Sequence, residues 1–113
     1  MIATPVLDRR PSVLDIGLQR LVGLVEVSLE GSLVEGTVDE LCRALERLLA
    51  EGATAVEVDC TEVVDIDGFG LALLLDAHRQ LSHSGGSLVL RYAQPAVLDR
   101  LCAARLDDIL LAS

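Results

Sequence analysis

From Leu24 to Glu30 apolar and polar residues alternate strictly. Val25, Val27 and Leu29 fall on one side, and Glu26, Ser28 and Glu30 on the other. That period of two predicts a half-buried strand, stopped by Gly31-Ser32. Thr54 to Cys60 repeats the pattern, with Val56, Val58 and Cys60 opposite Ala55, Glu57 and Asp59. A turn should follow over Thr61 to Gly68. Ser87 to Tyr92 predicts a third such strand, and Leu14 to Gln19 an extended segment before the first.

Between these runs the period changes. Val38, Leu41, Cys42, Leu45, Leu48 and Leu49 recur at helical spacing, which predicts an amphipathic helix. Thr37-Val38-Asp39-Glu40 has the form of a capping box at its start, and Gly52 suits its end. A second helix is expected from about Gly70 to Ser84, burying Leu71, Leu74, Leu75, His78 and Leu81 and stopped by Gly85-Gly86. Pro95 suits a first helical position, with a short helix to about Ala104. Leu106 to Leu111 adds a last helical turn or two.

The order is strand, strand, helix, strand, helix, strand, helix. Strands joined through helices are usually parallel. Two of these strands place carboxylates at alternate positions, whereas a sheet covered on both faces reads as unbroken apolar runs. The expected architecture is α/β: a small mixed sheet with its helices on one face. Residues 1–12, with Pro5, Pro11 and Asp8-Arg9-Arg10, suggest a loose arm before one domain over residues 13–113.

Composition fits this picture. The chain has 113 residues, 51% apolar and 24% charged, which is enough for one core. Its longest charge-free apolar run, Gly68 to Leu75, is far below the roughly 20 residues of a membrane span. Neither membrane insertion nor a signal peptide is expected, and the default location is the cytoplasm. The net charge is -9, and every basic residue is Arg. Residues 26–76 hold 13 acids against 2 Arg. Such a surface repels phosphate backbones, and two aromatics, Phe69 and Tyr92, are too few for a base-stacking platform. Nucleic acid is therefore excluded as a partner, and a basic protein surface is favoured.

Cys42, Cys60 and Cys102 are far apart and include no CxxC, so neither a disulfide framework nor a zinc site is indicated. A redox pair between Cys60 and Cys102 is a bolder option, should the last helix pack near the strands. No Ser–His–Asp or Cys–His set is legible. His78 falls on an apolar helical stripe, and His83 lies near a helix C-terminus, where a cationic ring suits the dipole. Glu57, Asp59, Glu62 and Asp65 form an acidic strip, either a solvated face or a means of steering a basic partner.

The richest stretch is Val63-Val64-Asp65-Ile66-Asp67-Gly68-Phe69-Gly70-Leu71. Asp65-x-Asp67-Gly68 resembles the nucleophile loop of haloacid dehalogenase-like phosphatases, in which one carboxylate attacks phosphorus and a second handles the proton beside Mg²⁺. That family expects Thr where Phe69 stands, and a cationic phosphate ligand, typically Lys; the chain has no Lys. Asp65, Asp67, Gly70 and Asp76 also match positions 1, 3, 6 and 12 of a calcium loop, with Phe69 and Leu73 at ligand positions. Gly68-Phe69-Gly70 lacks the third glycine of a dinucleotide fingerprint. The plainest reading is a strand-to-helix turn in which Asp67 caps the helix.

Val56, Val58, Asp59, Thr61, Val64, Ile66, Asp67, Gly70 and Leu71, in this order and spacing, resemble the STAS domain (sulfate transporter and anti-sigma factor antagonist). Leu29-Glu30-Gly31-Ser32-Leu33 resembles that family's Gly-x-Leu segment, and Gly85-Gly86-Ser87-Leu88-Val89-Leu90 its Gly-Gly-x-Leu strand entry. The resemblance covers roughly residues 14–112. It implies a non-enzymatic regulator without cofactor or metal, and it is compatible with a homodimer. Its partner would be an ATP-binding anti-sigma factor that doubles as a serine kinase, so that docking frees a sigma factor. The contact loop would comprise Asp65, Asp67, Gly68, Phe69, Gly70 and Leu71, with Asp67 offering a carboxylate to a basic partner. In the family the kinase phosphorylates a Ser or Thr just after the loop Asp, which stops docking. Gly68 stands there in this chain and has no hydroxyl, so control by phosphate at this position is not expected. Asp67 to Leu74 also resembles the loop of small STAS subunits of lipid-transporting ABC systems, where a Thr is expected in place of Gly68; the alternative it implies is an accessory subunit of such a system or a signalling scaffold. Phe69 is either a partner anchor or folded into the core.

Overall fold

The computed structural model describes residues 14–111. The arm expected over residues 1–12 lies outside them, as do residues 13, 112 and 113 of the expected domain. The elements run β1 (Leu14–Leu21), β2 (Leu24–Leu33), α1 (Val38–Ala50), β3 (Ala55–Ile66), α2 (Gly68–His83), β4 (Ser87–Arg91), α3 (Pro95–Ala103) and α4 (Asp107–Leu110).

Val22-Gly23 closes the β1–β2 hairpin, and Gly23 supplies the positive φ such a turn requires. The longer links through α1 and α2 allow the parallel pairs. The sheet order is β1-β2-β3-β4, with β1 antiparallel to β2 and the other two pairs parallel. This is the expected mixed sheet. Val25, Val27, Leu29, Val56, Val58, Leu88 and Leu90 turn inward to a core shared with Leu41, Leu48, Leu74, Leu81, Leu101 and Leu110 of the helices. Each fully buried Leu contributes roughly 2 kcal/mol. On the other face Glu26, Glu57 and Asp59 are half-buried and Ser28 is exposed.

Both middle strands outrun their expected ends. β2 continues through Gly31-Ser32 to Leu33, and β3 continues through the expected turn to Ile66. The interruptions are absorbed as register shifts, one between Ser28 and Glu30 and one between Gly31 and Ser32. Each gives β3 an extra residue, as a bulge does. Alternation therefore fails after Cys60, and Val63 and Ile66 are both buried although three residues apart. The extension also carries β3 beyond Asp59–Arg91, the last pair with β4. There α3 packs beside it, and Gln94 Nε2 donates to the Thr61 carbonyl at 2.6 Å.

The expected capping box at Thr37 does not form. Thr37 Oγ1 makes no cap bond to α1; it donates to the Ser32 carbonyl at 2.7 Å and accepts from Val34 N–H at 3.0 Å. The side chain is buried, so it satisfies the loop it folds under rather than the helix it precedes.

His78 serves the sheet rather than the core. Its Nδ1 lies 3.0 Å from the carbonyl oxygen of Leu88 in β4. Leu111 bridges Leu90 on the same strand. Together they occupy backbone groups of a strand edge that would otherwise invite pairing with another chain.

Candidate functional site

One residue, Asp67, joins β3 to α2, and both its carboxylate oxygens are engaged. Its backbone is extended, and Oδ1 accepts from Gly70 N–H at 3.0 Å, capping α2. Oδ2 accepts from Glu35 N–H in the β2–α1 loop at 2.9 Å. Its own N–H donates to the Leu33 carbonyl at 3.2 Å. Asp67 thus ties the end of β2, the loop after it and the start of α2 into one corner.

Gly70 makes that corner close. A Cβ there would stand 2.4 Å from the Leu33 carbonyl oxygen and 2.9 Å from Ile66 Cγ1. Gly68 differs: a Cβ there meets nothing within 4 Å, and its φ is ordinary. Its lack of a hydroxyl is therefore not forced by the fold.

The corner presents a mixed surface. Phe69 is 57% exposed and Val64 58%. This decides the Phe69 alternative in favour of the surface. Asp65 is exposed, accepts from Ile66 N–H at 2.9 Å and lies 3.8 Å from Arg100 of α3. Gly70 and Leu71 are buried beneath. The structure thus brings the six expected loop residues together but divides them. Asp65, Gly68 and Phe69 face outward, Asp67 is half-buried and tied, and Gly70 and Leu71 support them. Sequence reasoning missed Glu35 and Leu33, the other half of the corner. Only the Gly31-Ser32-Leu33 segment hinted at them.

Burial pushes the Asp67 carboxyl up, but N–H donors from Gly70, Glu35 and Phe69 outweigh it and hold the group below its ordinary 3.8. The stability it contributes is complete above that ordinary value and is lost as pH falls through the lower folded value. Asp67→Ala should cost about 2 kcal/mol at neutral pH. The variant should also show a weaker loss of stability below pH 3.8 than the parent in chemical denaturation series.

Both Asp67 oxygens already accept from backbone N–H groups, so the carboxyl is not free to pass a proton to a leaving group, which weighs against the phosphatase reading. The calcium reading fails on geometry. Helix α2 runs through Gly70 and Asp76, so no ligand loop exists there. The cysteine pair gains no support from burial. Cys60 is buried on the helix-covered face of β3, and burial with Asp59 pushes its thiol up to about 12. Cys102 is exposed, and all three cysteines are free. Cys60 faces the core because the period of β3 is still intact there, so its thiol is shielded from a solvent oxidant.

The acidic strip is partly neutralised. Glu57 pairs with Arg91 at 2.9 Å, and Asp59 Oδ1 accepts from the Thr61 N–H at 2.9 Å and from its hydroxyl at 2.6 Å. Among the described residues no helix is long and apolar enough to cross a membrane.

The family model described as Mlab, STAS domain, matches residues 16–112. No curated protein matches the chain. Among solved structures the chain is similar to an anti-sigma factor antagonist from Mycobacterium paratuberculosis. The identity is 22%, covering 89% of this chain and 86% of that one, with a TM-score of 0.78. It is similar to the anti-sigma factor antagonist SpoIIAA in its unphosphorylated form, at 20% identity, 88% of each chain and a TM-score of 0.77. The phosphorylated form of SpoIIAA, the Bacillus cell fate determinant, matches at 19% identity over 88% of this chain and 91% of that one, with a TM-score of 0.70. At these identities the likeness shows the fold.

Proposed function

This chain belongs to the STAS-domain family, and on that footing we propose that it is a docking protein of the anti-sigma factor antagonist kind. The observation that carries the reading is the exposure of Phe69 and Val64 beside Asp65 on a corner that Asp67 and Gly70 hold rigid. A large apolar side chain on a preorganised loop is what an interface anchor requires. The partner it suits is an anti-sigma factor with serine kinase activity, whose basic residues would meet the acidic surface around the loop.

Asp67 enters this reading as a positioning residue, since both its oxygens already hold backbone donors. Docking proceeds without phosphate control at position 68, because glycine offers no acceptor. The protein acts by binding rather than by catalysis, in the cytoplasm.

A second reading uses the same corner: an accessory subunit of a lipid-transporting ABC system. The likeness of Asp67 to Leu74 to the loop of such subunits favours it, as does the match to the Mlab description. The discriminating experiment is capture of the tagged protein from its native lysate with mass spectrometry. Recovery of an ATP-binding anti-sigma kinase supports the first reading. Recovery of a transporter ATPase replaces it with the second.

A further inference from the structure

The other end of α2 carries a second surface, unrelated to the corner. A groove of about 650 Å³ runs between α2 and α4, lined by Leu75, His78, Arg79, Ser82 and His83 of α2 and by Ile109 of α4. The α2 residues are spaced i, i+3, i+4, i+7 and i+8, which is one helix face about 12 Å long. Leu75 is half-buried and Ile109 is 42% exposed, so apolar surface lies open along its wall.

Its charge runs against that of the molecule. The chain carries -9 overall, yet among the described residues no carboxylate lines this groove. Asp76 turns to the α1 side, where it lines a different hollow with Cys42 and Glu46. Asp108 precedes Ile109 on α4 and is exposed outside the lining. His78 is held by the β4 backbone, and its Nε2 lies 3.4 Å from Ser82 Oγ. Arg79 and His83 form no ion pair among the described residues. The groove therefore offers apolar contact, the Arg79 guanidinium and the exposed His83 ring.

The geometry points to a docking site for an acidic amphipathic helix of a partner protein. A small anion would leave most of an open, two-turn groove in water, whereas ligand pockets bury most of their ligand. A helix laid along it can place apolar residues at i, i+3 and i+4 over Leu75 and Ile109 while its carboxylates meet Arg79 and His83. The excess acid lies in residues 26–76, where a basic helix is favoured, so preference for an acidic one is a signature of this groove.

The test uses the full chain labelled with ¹⁵N and two synthetic helical peptides. Both carry Leu at i, i+3, i+4 and i+7; one has Glu at the remaining positions and the other Lys. The Glu peptide should shift the amides of Leu75, Arg79, Ser82, His83 and Ile109. Arg79→Glu combined with His83→Glu should weaken it on the order of 10-fold or more. Arg43→Glu, the same kind of charge change on α1, should leave its affinity within about twofold. Equal or better binding of the Lys peptide in the groove would overturn the proposal, as would shifts confined to another surface or an equal loss from Arg43→Glu. Groove shifts that grow with protein concentration alone would overturn it too, by making a second copy the occupant.

Discussion

Gly70→Ala should destabilise the domain by about 3 kcal/mol, through overpacking at the corner that builds the site. The added methyl would stand 2.4 Å from the Leu33 carbonyl oxygen and 3.0 Å from Leu33 Cγ. The first obstacle is backbone, held in place by the Asp67 N–H and by β2 pairing, so it cannot move aside as a side-chain tip can. The thermal midpoint should drop by on the order of 15 °C for a domain of this size. The matched control is Gly68→Ala, two residues earlier. There a Cβ meets nothing within 4 Å, and replacing glycine in a helical turn should stabilise by up to about 1 kcal/mol. Equal midpoints for the two variants would remove close packing as the reason for Gly70.

The same pair of glycines shows where the sequence was legible. The alternation of Val25 to Glu30 and of Val56 to Cys60 was enough to place both central strands and their buried faces, because one face of the sheet is open to water. The two bulges were not legible. Gly31 and Thr61 read as stops in a single strand, and only the neighbouring strand, extended over the same span, turns them into register shifts. Thr37 misled for a related reason. Local spacing suggested a cap, but the hydroxyl found the Ser32 carbonyl, a buried acceptor supplied by the fold. Asp67 was recognised as a cap from its place before the helix, yet its second bond, to Glu35, joins residues 32 apart in the chain. Gly68-Phe69-Gly70 gives no sign that one glycine is obligatory and the other free. That distinction depends on how near Leu33 comes.

Phe69→Glu should leave the fold intact and remove docking at the corner. With the ring 57% exposed, its replacement should change unfolding free energy by no more than about 0.5 kcal/mol. An aromatic anchor at the centre of an interface carries about 2 to 4 kcal/mol, so affinity for the captured partner should fall on the order of 30- to 1,000-fold. Phe69→Ala separates the two contributions. If it loses nearly as much as Phe69→Glu, apolar contact dominates; if it loses little, the added charge does. The second outcome would be informative about control. A negative charge at position 69 has the sign of the phosphate that Gly68, one residue before it, has no hydroxyl to accept. Sensitivity to that charge would mean that the docking surface keeps a response to phosphate without the acceptor that would trigger it. Gly68→Ser, for which the corner has room, would then be expected to make binding sensitive to phosphorylation by a serine kinase. Unchanged affinity in both Phe69 variants would move the interface away from this corner altogether.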